Sequence, residues 1–136
     1  MAQEQYVSWS EIDSLIQKLS DDLSKYPKKF SSISTLSRGG LVPSRLLADH
    51  LGIEKIHVDE SKISSNSIFV DDIFDSGDTF KEILSKIDDS SKLCYVTLFA
   101  RCGKTYPQQL IYGTQTDNDA YVVFPWDKLE FERSKK

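Results

Sequence analysis

Short apolar runs alternate along this chain with segments of helical period, and the junctions between them are small, polar and glycine-bearing. "SSISTL" (31–36) reads as a strand, and "VPSRLLADHLG" (42–52) as a helix with proline near its start and Gly52 as its stop. "KIHVDE" (55–60) is the next strand, "KISSNS" (62–67) a polar connector and "IFV" (68–70) a third strand. "TFKEILSKI" (79–87) carries apolar Phe80, Ile83, Leu84 and Ile87 at helical spacing, and "KLCYVTLFA" (92–100) and "AYVVFP" (120–125) are further strands. Ahead of them, Ser8 and Glu11 have the spacing of a capping box. Ile12, Leu15, Ile16, Leu19, Leu23 and Tyr26 then recur every three or four residues, predicting a helix that ends near Tyr26 and Pro27. "KLEFERSKK" (128–136) reads as an exposed tail. This alternation predicts an α/β fold, a central mostly parallel sheet flanked by helices. In such sheets ligands bind beyond the carboxyl ends of the strands.

At 136 residues the chain has the length of a single domain spanning 1–136. The net charge of −4 gives no general attraction to nucleic acid or to an anionic membrane. No apolar run is long enough to span a bilayer, and the first ten residues lack the basic-then-apolar layout of a signal peptide. Two cysteines, Cys94 and Cys102, read as reduced thiols of a cytoplasmic protein, not as a disulfide framework.

Two loops at strand carboxyl ends stand out: "SRGG" (37–40) and "DDIFDSGDT" (71–79). In the second, Asp75, Ser76, Gly77, Asp78 and Thr79 lie between a strand and a helix. Backbone N–H groups at such a helix start are unpaired and suit an anion, with the Ser76 and Thr79 hydroxyls as further donors. A plain strand-to-helix turn capped by Asp75 or Ser76 accounts for the same residues. Asp71 and Asp72 just before the loop can accept hydrogen bonds from a vicinal diol or hold Mg²⁺. Acids gripping a sugar and a cation, beside a loop gripping a phosphate, would reconcile four carboxylates with an anion site.

Other phosphate and metal chemistries fit less well. "VDDIFD" lacks the acid, one residue, acid spacing of aspartyl-phosphate phosphatases, and no Gly-Lys-Ser/Thr ending of a Walker loop occurs. Two histidines and two cysteines without ligand spacing do not suggest zinc. His50 and His57 read as ordinary surface or helix-end residues, and Trp9 and Trp126 as packing groups.

"IFVDDIFDSGDT" resembles the ribose-phosphate motif of the type I phosphoribosyltransferases, and "TLSRGGLVPSRLLADHLG" resembles their pyrophosphate loop and following helix. "VTLFAR" and "AYVVFPWD" are similar to the purine-binding segments of the xanthine–guanine/hypoxanthine branch. The resemblance implies a type I fold with a small C-terminal hood. It also implies transfer of the 5-phosphoribosyl group from phosphoribosyl pyrophosphate to a 6-oxopurine, with Mg²⁺ as cofactor and a homodimer or higher homo-oligomer. Asp71 and Asp72 would hold ribose and metal, and Asp75, Ser76, Gly77, Asp78 and Thr79 the 5′-phosphate. Ser37, Arg38, Gly39 and Gly40 would hold pyrophosphate, with a non-proline cis peptide near Ser37–Arg38. Asp75 would accept a proton from the base, Tyr121 would stack on it, and Val122 would offer backbone groups to its edge. Val123 takes the place of a reader of the purine 2-substituent, and an apolar residue there favours hypoxanthine.

The chain departs from that pattern twice. Relatives place a long mobile lid before the motif strand, where only "SKISSNS" stands here. Arg101 occupies the place of a lysine that contacts the purine 6-oxo group; a base contact, a substitute contact from Lys104 and a plain strand-end charge all remain open. Loss of the lid leaves a non-catalytic binder of phosphoribosyl pyrophosphate or a purine nucleotide as the alternative to the enzyme.

Overall fold

The computed structural model describes residues 3–135. A short strand β1 (Glu4–Tyr6) precedes helix α1 (Trp9–Ser24), which opens on the expected capping box: Glu11 N–H donates to Ser8 Oγ at 3.1 Å, and Ser8 N–H to Glu11 Oε1 at 3.3 Å. Then follow β2 (Ser32–Thr35), α2 (Leu41–Leu51), β3 (Lys55–Val58), β4 (Ser67–Phe74), α3 (Asp78–Lys86), β5 (Cys94–Ala100), β6 (Leu110–Gln115), β7 (Tyr121–Val123) and α4 (Lys128–Ser134). Five strands form one sheet in the order β3-β2-β4-β5-β6, with every neighbouring pair parallel.

Both faces of that sheet are covered, which is why β5 is buried along its whole length and, Thr97 aside, apolar rather than alternating. Ile68 and Val70 of β4, with Val96 and Leu98 of β5, face α1 and α2, where Ile12, Ile16, Leu19 and Leu47 meet them. Phe69 and Tyr95 point the other way and pack with Phe74 and Ile83 under α3. Each of these side chains contributes about 1.5–3 kcal/mol by leaving water.

Four features depart from the sequence reading. Strand β4 continues through the acids to Phe74, because Asp71 pairs with Thr97, Ile73 with Phe99 and Phe74 with Ala100. β6 was not foreseen; its residues are only partly buried at the sheet edge, so the apolar signal is weak. β7 does not join the main sheet but pairs in parallel with β1. The segment read as a tail is helix α4. Its Phe131 stacks on Tyr121 (centroids 5.6 Å apart, planes 22° from parallel) and meets Tyr6 edge-on at 6.0 Å. No helix among the described residues is long and apolar enough to cross a membrane.

Candidate active site

Strand β4 delivers Asp71 and Asp72 to the carboxyl end of the sheet. Each carboxylate has one oxygen tied to the backbone: Asp72 N–H donates to Asp71 Oδ1 and Ile73 N–H to Asp72 Oδ1, both at 2.8 Å. Burial, followed by the charge of Asp72, pushes the Asp71 carboxyl up to about 8, and burial also raises Asp72. Two adjacent, partly buried carboxyls each keep one oxygen clear of the backbone bonds. Oxygen donors of this kind fit a hard divalent ion that keeps other ligands for water or phosphate. The described residues hold no cluster of three or more His, Cys, Asp or Glu side chains suited to a closed metal cage.

The loop after β4 closes a cavity of about 190 Å³. Asp71, Asp72, Asp75, Ser76, Gly77, Asp78 and Thr79 all line it, with Tyr95 and Phe80 as its apolar floor. Neither Asp75 nor Ser76 stands at the N-cap position of α3, though the Ser76 hydroxyl reaches its first amide. The N-cap position is Gly77, at a left-handed φ of 90° that a side chain would strain, so the cap residue itself offers no side-chain acceptor. The first N–H of α3, that of Asp78, donates to Ser76 Oγ at 3.3 Å, while those of Thr79 and Phe80 meet no side-chain acceptor, as an anion site needs.

The loop after β2 comes alongside. The Ser37–Arg38 peptide is cis. Ser37 is braced from β3: its N–H and Oγ donate to the two carboxylate oxygens of Asp59 at 2.9 and 2.6 Å, and these bonds hold the Asp59 carboxyl below its ordinary value. Gly39 lies so close to the acid pair that a Cβ there would sit 2.7 Å from Asp72 Oδ2. Arg38 reaches outward, and its Nη2 donates to Glu130 Oε2 of α4 at 2.7 Å.

Arg101 leaves the end of β5 with only 14% of its side chain exposed. Nε and Nη2 donate to Asp75 Oδ1 and Oδ2 at 3.1 and 3.4 Å, and Nη1 donates to the Ala120 carbonyl at 2.6 Å and Thr116 Oγ1 at 3.5 Å. Lys104 lies exposed beyond the turn. Tyr121, 57% exposed, stands on β7 against Phe131. Tyr121 N–H donates to Gln3 O and Val7 N–H to Val123 O, so the alternation of a parallel pair turns the amide and carbonyl of Val122 to the opposite edge of β7. Val123 is not placed to read a purine substituent: it is 2% exposed, with its side chain in the core.

Several site neighbours escaped the sequence reading. Tyr95 lies in the apolar run 92–100, where nothing local marks it as part of a site. It lines the cavity, and burial, then the charges of Asp71 and Asp72, raise its phenol. Asp59 and Glu130 come from segments read as a strand end and a tail, with no local pattern marking them. The connector 59–66 is docked rather than free: Ile63 is buried, its N–H donates to Lys86 O and its carbonyl accepts from Asp88 N–H, both at 3.0 Å. Trp126 is a packing group, stacked on Phe124 at 4.9 Å and tilted against Trp9 at 5.8 Å. His50 bonds back to Leu46 O of its own helix, and His57 sits 3.8 Å from Glu60.

No family model matches the chain. A xanthine-guanine phosphoribosyltransferase of Chromohalobacter salexigens is 25% identical over 140 residues, covering 89% of this chain and 82% of that protein. Among solved structures, a xanthine-guanine-hypoxanthine phosphoribosyltransferase from Helicobacter pylori superposes with a TM-score of 0.75 at 16% identity, over 97% of this chain and 99% of that one. A purine phosphoribosyltransferase from Pyrococcus horikoshii gives 0.73 at 22% identity, over 93% and 94%. The chain thus resembles the type I phosphoribosyltransferases of the purine branch in sequence, and shares their fold over almost its whole length.

Proposed function

We propose that this chain transfers the 5-phosphoribosyl group from phosphoribosyl pyrophosphate to a 6-oxopurine (hypoxanthine, guanine or xanthine), releasing pyrophosphate and a nucleoside monophosphate. The observation that carries this reading is the approach of the two loops: Gly39, beside Arg38, lies against Asp72, while the strand bearing Asp72 runs on into the loop of Asp75, Ser76, Gly77, Asp78 and Thr79. One molecule carrying a diphosphate, a ribose diol and a terminal phosphate matches that sequence of groups.

Asp71 and Asp72 would hold Mg²⁺ and orient the ribose hydroxyls, and Mg²⁺ when bound would offset the charge growing on the departing diphosphate. Ser37, Arg38, Gly39 and Gly40 would surround the same leaving group: Asp59 holds Ser37 and so fixes the shape of the loop, and Arg38 would exchange Glu130 for the diphosphate. The open start of α3 takes the 5′-phosphate. As the new bond forms at the anomeric carbon, the base sheds a proton, which Asp75 would accept by giving up one of its bonds from Arg101. Tyr121 offers a face for the base and Val122 a free backbone edge. We further place the protein in the cytoplasm as a homodimer or larger homo-oligomer; the exposed Tyr6, Trp9 and Leu129 support the assembly.

Calorimetry with phosphoribosyl pyrophosphate, with and without Mg²⁺, followed by turnover with each purine, tests this reading. Mg²⁺-dependent binding with turnover is expected, and Asp75→Asn should lower turnover while leaving most of the binding. One observation favours a second reading. With connector 59–66 pinned to α3, a loop that would shield the reacting centre from water is short, and a binder without catalysis would then remain. Binding without turnover on any purine selects it.

A further inference from the structure

Arg101 ties together three segments that the chain builds separately. Its Nε and Nη2 hold both oxygens of Asp75 on the loop after β4, and its Nη1 holds Thr116 at the end of β6 and the Ala120 carbonyl just before β7. The backbone fixes the same junction. Arg101 N–H donates to Phe74 O at 2.7 Å, its carbonyl accepts from the Tyr106 hydroxyl at 2.7 Å, and Cys102 N–H donates to the buried Thr116 hydroxyl at 3.1 Å. A guanidinium is a planar fork whose two edges point in different directions. Here one edge faces Asp75 and the other faces the hood, so neither is turned outward to read a ligand. A lysine ammonium is a single point and cannot span both.

We infer that Arg101 is a positioning residue, not a reader of the base: it fixes the carboxylate of Asp75 against the strand carrying Tyr121 and Val122, so that the phosphoribosyl half and the base half of the site are held in one register. This rests on the proposed reaction and deepens it. Recognition of the purine 6-substituent then belongs to the β7 backbone edge, and the chain uses arginine because the task is to bridge.

The test is Arg101→Lys, with ribose 5-phosphate, inosine monophosphate and adenosine monophosphate titrated by calorimetry in Mg²⁺, and turnover measured with hypoxanthine and adenine. A bridge that is lost should leave ribose 5-phosphate affinity within about twofold of wild type. Both nucleotides should weaken by a common factor of about ten or more, and kcat should fall similarly with the ratio of hypoxanthine to adenine unchanged. Arg101→Ala with added ethylguanidinium is the second arm, and partial recovery of nucleotide binding is expected there. A direct base reader would instead tolerate lysine, or change the hypoxanthine-to-adenine ratio, and either result overturns the inference. Full nucleotide affinity in both variants overturns it as well. A wild-type chain that binds neither ribose 5-phosphate nor nucleotide removes the proposed function and the inference together, whereas normal wild-type binding with an unaffected variant removes the inference alone.

Discussion

Arg38 Nη2 lies 2.7 Å from Glu130 Oε2, joining the loop proposed to hold pyrophosphate to the C-terminal helix. Both side chains are mostly exposed, 77% and 67%, so the pair adds little to stability. Its consequence is competition, since the carboxylate occupies the cation that a diphosphate would need. Glu130→Gln should therefore tighten phosphoribosyl pyrophosphate binding about two- to fivefold, the equivalent of an exposed ion pair, with the melting temperature almost unmoved. Calorimetry at two salt concentrations checks this, and the gain should shrink at the higher one.

Asp71 sets a pH dependence whose sign is opposite to that of an ordinary salt-bridged acid. Burial and the neighbouring Asp72 raise it from 3.8 to about 8, so the folded chain keeps a proton that the unfolded chain releases. Between those values the folded state binds more protons, and stability falls as pH rises. Metal-free protein should melt at progressively lower temperature from pH 5 to pH 8, and Asp71→Asn should flatten that slope. A wild-type melting temperature that rose over the same range would contradict the assignment.

Gly39→Ala separates loop geometry from folding. The added methyl would stand 2.7 Å from Asp72 Oδ2, the end of a side chain that can move, so the fold should survive. The displaced carboxylate should weaken Mg²⁺-dependent ligand binding about tenfold or more, as expected for loss of a charge-assisted contact. A circular dichroism melt beside the titration distinguishes the two effects.

The two thiols should behave differently. Cys94 is fully buried, and burial pushes its thiol up to about 12, whereas Cys102 is exposed. A thiol reagent at neutral pH should count one cysteine in the native protein and two in denaturant.

Local pattern carried much of this architecture. The capping box at Ser8, the helix from Leu41 to Leu51 and the buried run of β5 are each written within a dozen residues, and the structure agrees with all three. So was the grouping of Asp71 through Thr79 around one cavity, because strand, loop and helix start are contiguous there. What stayed hidden depends on distant partners. "LIYGTQ" becomes β6 only because β5 offers it an edge, and the charged segment around Glu130 becomes a helix whose one aromatic residue, Phe131, packs on Tyr121 and Tyr6. Arg101 could be read as a cation at a strand end, but its hold on Asp75 and Ala120 arises from the meeting of β4, β6 and the hood.

The small sheet of β1 and β7 pairs Glu4 with Tyr121, residues from opposite ends of the described chain. Closing so long a loop costs more entropy than any contact inside the main sheet, and the ladder itself offers three residue pairs beside the Tyr121–Phe131 stack and the burial of Val123. On the ribosome, β7 emerges after every strand of the main sheet. The hood is therefore the last part to assemble and the first to open, and amide exchange at Val122 and Val123 should run well ahead of that in β5. The surface proposed for the base would then come and go on a preformed phosphoribosyl cradle, an order of events written into the connectivity of the chain.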